Sequence, residues 1–156
     1  MSLLVWRIGF SGAPSLADQG YGSTLANGRW HRADAGRHQV IYCGSSRALC
    51  QLEKRVHCNG YPAKNMALFQ LEIPDDAELK EVTDLGLPTD WKTDQVITQA
   101  IGMKWLADNQ SVGLWVPSFV ESSERNLLLN PAHADFARIS FSVEKSPFEF
   151  DPRLFG

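Results

Sequence analysis

Gln39-Val40-Ile41-Tyr42-Cys43-Gly44-Ser45-Ser46-Arg47-Ala48-Leu49-Cys50-Gln51-Leu52-Glu53 changes from one backbone periodicity to another in a short span. Val40, Ile41 and Tyr42 form a compact β-favouring run that Gly44 closes, and Ser45-Ser46 offers side-chain oxygens to cap a helix running from Arg47 toward His57. Within that helix Leu49, Leu52 and Val56 recur at helical spacing and are expected to face the core. Glu53 follows Leu49 by four residues and Cys50 by three, at the margin of the apolar stripe. Such a carboxylate either faces a pocket or is solvated and pairs with Lys54 or His57.

Upstream, Leu3 to Ile8 reads as a short strand entering a long loop through Gly22, which is either a binding loop, where Gly20, Gly22 and Gly28 would let backbone approach a ligand, or a flexible surface connection. Downstream, Ala67, Phe69, Leu71 and Ile73 alternate as a half-buried strand ended by Pro74-Asp75-Asp76, with a short strand near Leu79 to Val82. Thr93 or Asp94 starts a second helix, with Val96, Ile97, Ala100, Ile101 and Trp105 on the face expected to be buried, ending near Asp108-Asn109. Val112 to Val116, Asn126 to Leu129 and the Ile139-Phe141-Val143 alternation read as three further strands. Two clear helices without regular β-α alternation predict an α+β domain with a mixed β-sheet core. No repeat or linker breaks residues 1–156, which are expected to form a single domain.

The bulk figures fit a folded chain: 44% hydrophobic and 21% charged residues are ordinary globular usage. A net charge of −3 lacks the positive field that tracks phosphate backbones, which argues against direct nucleic-acid binding. No apolar run reaches the ~20 residues of a membrane-spanning helix, and the N-terminus lacks a leader pattern, so the expected location is the cytoplasm. Cys43, Cys50 and Cys58 fit neither a paired disulfide framework nor a zinc knuckle and are read as reduced thiols, Cys50 as a small core residue.

Several familiar motifs are incomplete. Gly20-Tyr21-Gly22 is followed by Leu25 where a dinucleotide fingerprint needs glycine, and no P-loop is present. Gly44-Ser45-Ser46 lacks the second glycine of a nucleophile elbow. His31, His38, His57 and His133 show no metal-ligand spacing and read as surface or structural, so no metal is expected.

Two ordered blocks remain. Gly28-Arg29-Trp30-His31, Val40-Ile41-Tyr42, Ser45-Ser46-Arg47-Ala48-Leu49 and Leu52-Glu53 form the first; Val116-Pro117-Ser118, Glu124-Arg125-Asn126 and Asn130-Pro131-Ala132-His133 form the second. Together they resemble the signatures of the RES family, toxins of bacterial toxin–antitoxin pairs, from Trp6-Arg7 through Phe141. The resemblance implies a fold like that of diphtheria-toxin-type ADP-ribosyltransferases and Arg29, Glu53 and Ser118 as the defining polar residues. It implies NAD+ as substrate, consumed by glycohydrolase, phosphorylase or ADP-ribosyltransferase chemistry. It also implies an Xre-type antitoxin, through which alone the complex would touch DNA. A protein ADP-ribosyltransferase and a catalytically inactive antitoxin-binding module are the alternatives.

These residue types suit that chemistry. Breaking the nicotinamide–ribose bond develops an oxocarbenium-like charge that the Glu53 carboxylate can stabilise. The Arg29 guanidinium offers a planar fork to a pyrophosphate. Tyr42 is either a core tyrosine or a ring that stacks on nicotinamide while its hydroxyl bonds a ribose or carboxylate. Ser118 either orients the ribose or Glu53, or shapes a turn; Asn126 is either a supporting ligand or a strand-edge amide.

Overall fold

A computed structural model describes residues 2–156. Its centre is one seven-stranded sheet built from β1 (Leu3–Phe10), β2 (Ile41–Gly44), β3 (Met66–Ile73), β4 (Leu79–Glu81), β5 (Gly113–Pro117), β6 (Arg125–Leu129) and β7 (Ser140–Lys145), in the order β4-β5-β6-β2-β1-β3-β7. β4 and β5 run parallel and every other neighbouring pair runs antiparallel. The mixed sheet and the α+β class agree with the sequence expectation.

Central strands are apolar on both sides because both faces are covered. In β6, Leu127 and Leu129 pack with Val5, Ile41, Phe69 and Leu71 on one face, while Leu128 packs with Trp30, Leu114, Val116 and Trp105 on the other. This period-two division places consecutive leucines in different core layers.

The sheet is pinched between β1 and β2. β1 pairs with β3 along its whole length, from Leu3↔Ile73 to Phe10↔Met66, but meets β2 only at Trp6↔Gly44. Beyond that point the ladder opens. The freed carbonyl of Tyr42 is met by the Arg7 guanidinium, which donates at 3.0 Å. The same guanidinium reaches Gln19 Oε1 at 2.9 Å and Gln19 O at 3.2 Å, in the 3-10 segment Ala17–Thr24. A split sheet thus leaves a cleft that side chains line, in place of backbone that would otherwise be left unpaired.

One helix lines this cleft and a second backs the 28–30 segment that borders it. α1 (Arg47–Val56) starts where Ser46 Oγ accepts from the Leu49 amide at 3.1 Å, as the sequence predicts. Its buried line is Leu49, Cys50 and the half-buried Glu53, whereas Leu52 and Val56 are exposed. The helix is therefore rolled by roughly 70° from the purely apolar stripe, at 100° per residue. This corrects the expected inward leucine and valine: the inward roll points Glu53 and Lys54 at the cavity.

α2 (Gln95–Asp108) is capped by Asp94, whose carboxylate accepts from the Val96 and Ile97 amides. It departs further from expectation. Val96, Ile97 and Ala100 face solvent, while Thr98, Gln99, Gly102, Trp105 and Leu106 are buried. The cause is the backbone of residues 28–30 lying against it. Thr98 Oγ1 donates to Arg29 O at 2.6 Å, and Gln99 and Gln95 both donate to Gly28 O. A Cβ at Gly102 would stand 1.7 Å from Trp30 O, so only glycine admits this approach.

Candidate functional site

A cavity of about 520 Å³ lies at the split between β1 and β2, bounded by α1, the 28–31 segment and the turn after β5. That volume is in the usual range for small-molecule sites. Arg29, Tyr42, Glu53 and Asn126 line it, together with Arg7, Gln19, His31, Lys54 and Phe119. Of the five residues singled out from sequence, four are thus brought to one surface, and the fifth, Ser118, lies directly behind Glu53.

Ser118 Oγ–H donates to Glu53 Oε1 at 2.6 Å, and Asn126 Nδ2 donates to the same oxygen at 2.9 Å. The serine's proton is directed by its other bonds: its oxygen accepts from the amides of Val120 and Glu121, each at 3.1 Å. Ser118 is fully buried, so it orients the carboxylate and does not face the cavity. Asn126 Oδ1 has no partner among the described residues, and the amide is turned so that its NH2 meets the carboxylate. One carboxylate oxygen is held by two donors, which leaves the other to face a ligand.

Tyr42 sits at the end of a second network. His31 Nε2 lies 3.1 Å from Ser23 O and 3.0 Å from Ala26 O, both acceptors, so these partners assign the proton to Nε2. Nδ1 then accepts from the Tyr42 hydroxyl at 2.7 Å, and the Trp30 amide donates to that hydroxyl at 3.3 Å. The phenol's proton is directed to His31, so toward a ligand the hydroxyl can act only as an acceptor, and Tyr42 also lines the cavity. Burial raises the Tyr42 phenol far above its ordinary range and lowers the His31 imidazole. Gly28 closes against this pair, since a Cβ there would stand 2.7 Å from both His31 Nδ1 and the Tyr42 hydroxyl.

Arg29 is half-buried, its backbone carbonyl held by Thr98 and its guanidinium 4.1 Å above the Phe119 ring. The stacking holds the planar fork flat and leaves its in-plane N–H groups to a ligand. Cys43 and Cys50 are free and buried; burial pushes their thiols up to about 12 and about 11, the reverse of an activated nucleophile. Among the described residues no group of three His, Cys, Asp or Glu is placed to hold a metal ion.

Sequence reasoning missed Arg7, Gln19, Lys54 and Phe119, and read His31 only as surface or structural. One signal was available for Arg7, the lone charge inside the apolar strand Leu3–Phe10. Lys54 gave none, because a lysine beside a helix glutamate is ordinarily solvated.

The arrangement defines an α+β protein with a carboxylate-bearing cavity at a sheet split. Comparison with known proteins gives the family: the RES domain model matches residues 4–151, and the chain belongs to that family. It is 39% identical to "Toxin Res" of Yersinia enterocolitica serotype O:8 / biotype 1B over 138 residues, 86% of this chain and 88% of that one. It is 33% identical to "Prs ADP-ribosylating toxin" of Sphingobium sp. strain YBL2 over 162 residues, 99% of this chain and 98% of that one. The fold matches the crystal structure of the M. tuberculosis MbcT–MbcA toxin–antitoxin complex with a TM-score of 0.67 and 16% identity, covering 93% of this chain and 82% of that one.

Proposed function

We propose that this chain, acting over residues 1–156 as one RES-type unit, is a toxin that cleaves NAD+ at the nicotinamide–ribose bond. The observation that carries this reading is the Glu53 carboxylate, fixed by Ser118 and Asn126 at the wall of a ligand-sized cavity. In this reading Glu53 lies against the nicotinamide ribose and stabilises the cation that forms as nicotinamide leaves. Preorganisation matters because a carboxylate that does not have to move stabilises the transition state at no reorganisation cost.

Arg29 takes the pyrophosphate with its stacked fork, and the Tyr42 ring offers a face to nicotinamide. Ser118 and Asn126 act through Glu53 as positioning residues. The intact networks around Glu53 and Tyr42 support an enzyme over a binding-only module. NAD+ is then a substrate, and no metal is called for.

The ADP-ribosyl acceptor is water or phosphate in the principal reading. Transfer to a protein side chain is the second, favoured by the name of the Sphingobium relative. A cytoplasmic enzyme that consumes NAD+ needs restraint, and the MbcT–MbcA neighbour supports an antitoxin partner, here proposed to be of Xre type and to supply any DNA contact.

The test is to incubate the purified chain with NAD+, with and without phosphate and with a cell extract, and to identify products by mass spectrometry. Free ADP-ribose or its phosphate ester supports the principal reading, and modified protein supports the second. NAD+ left intact under all three conditions rejects both.

A further inference from the structure

Two cations in the cavity are not used by the mechanism above. Arg7 on β1 is packed inside the split, and its three hydrogen bonds all go to neutral groups, Gln19 Oε1, Gln19 O and Tyr42 O. Lys54 on α1 lines the same cavity, and its ammonium makes no hydrogen bond or ion pair among the described residues. Neither has a carboxylate within ion-pair distance there. Both line the one cavity; burial lowers the pKa of each, and the positive charge of Arg7 lowers that of Lys54 further.

Burying two like charges with no anion between them is costly, and a folded chain ordinarily pairs them or leaves them in water. α1 could have rolled to bury Leu52 and expose Lys54, yet it exposes Leu52. The guanidinium is also only partly used. Five N–H groups are available on an arginine, and three serve the backbone and Gln19. A fork with spare donors beside a mobile ammonium is the donor set that proteins use for phosphoryl oxygens.

We propose that Arg7 and Lys54 form an oxyanion site on the buried side of the cavity, distinct from Arg29, that binds a phosphoryl group. Arg7 supplies fixed N–H donors and Lys54 the adjustable charge. The inference rests on the NAD+ reading for its ligand class, and the phosphoryl group has two sources: the half of the dinucleotide's pyrophosphate that Arg29 does not hold, or free inorganic phosphate beside it. In either case the anion neutralises the two cations and ties α1 to β1, so binding stabilises the fold.

Arg7 also bridges β1, β2 and Gln19, so its removal endangers folding; the Lys54 ammonium has no hydrogen-bond partner among the described residues, which makes Lys54 the informative position. The full-length chain and Lys54→Gln are titrated with inorganic phosphate, with chloride at matched ionic strength as control, by thermal melting and calorimetry. The same titrations use NAD+ on Glu53→Gln and on Glu53→Gln/Lys54→Gln, where turnover does not interfere. Without anion, Lys54→Gln should melt no lower than the parent.

Losing a hydrogen bond to a charged group weakens binding roughly ten- to hundredfold. That loss in the phosphate titration supports the site with free phosphate as its ligand. The same loss confined to NAD+ supports it with the pyrophosphate as ligand. Equal affinity for both anions with and without Lys54 overturns it. Phosphate binding that depends on Lys54, in a protein that neither binds nor cleaves NAD+, would keep the site and reject the NAD+ reading. NAD+ cleavage with unaltered anion affinities would do the reverse.

Discussion

Glu53→Gln isolates charge from shape. Gln has the same length, and its Oε1 can accept from Ser118 Oγ and Asn126 Nδ2 as the carboxylate does at 2.6 and 2.9 Å, so both donors stay satisfied. The two bonds weaken from charge-assisted to neutral, which costs on the order of 1 kcal/mol and about 2–4 °C of melting temperature for a chain of this size. The effect on chemistry is larger. A carboxylate roughly 4 Å from a developing positive charge, at an effective dielectric of about 20, contributes about 4 kcal/mol. That is about a thousandfold in rate. The assay is NAD+ consumption under single-turnover conditions, beside circular dichroism and melting of the same samples. A folded Glu53→Gln protein that retains within tenfold of the parental rate would refute the assignment of Glu53 to the reacting centre. A variant that unfolds would instead show that the carboxylate's charge is needed to hold Ser118 and Asn126.

Arg29→Lys keeps the charge but loses the planar fork stacked on Phe119, and should weaken NAD+ binding as well as turnover; unchanged KM and kcat would make Arg29 structural. Gly102→Ala forces a Cβ to within 1.7 Å of Trp30 O, so the 28–30 segment must move off α2. It should cost about 1–3 kcal/mol in a denaturant titration and lower NAD+ turnover through Arg29, and a parental midpoint would show that α2 does not hold this segment. His31 has a lowered pKa when folded, so the unfolded chain binds the extra proton. Its contribution to stability is complete above about pH 6.5 and is lost as pH falls from there through the folded value. Melting curves from pH 7.5 to 5 should fall more steeply for the parent than for His31→Gln, and parallel curves would count against the buried neutral imidazole.

Most of the β-structure was legible because strand signals are local. The 40–43 run, the 67–73 alternation and the leucines of 127–129 each state their own periodicity, and Ser46 and Asp94 each cap the helix that follows. The ordered polar residues Arg29, Tyr42, Glu53, Ser118 and Asn126 were also legible, through their resemblance to a known family. The roll of the helices was not. Periodicity assumes that apolar residues turn inward, whereas α1 turns Glu53 and Lys54 toward a cavity and α2 turns Thr98, Gln99 and Gly102 toward the carbonyls of residues 28 and 29 and Trp30.

Those orientations depend on partners remote in sequence. The partial separation of β1 from β2 leaves the Tyr42 carbonyl to Arg7, and residues 28–30 bring carbonyls that only polar helix residues can satisfy. Local sequence was enough for the class of fold and the helix starts, and it singled out Glu53 as the candidate carboxylate. The tertiary structure alone decided that Ser118 serves Glu53, that the Tyr42 proton belongs to His31, and that Arg7 and Lys54 share a cavity. The reason is physical: local propensity specifies which backbone an element adopts, but the side an element buries is set by what it must satisfy across the fold.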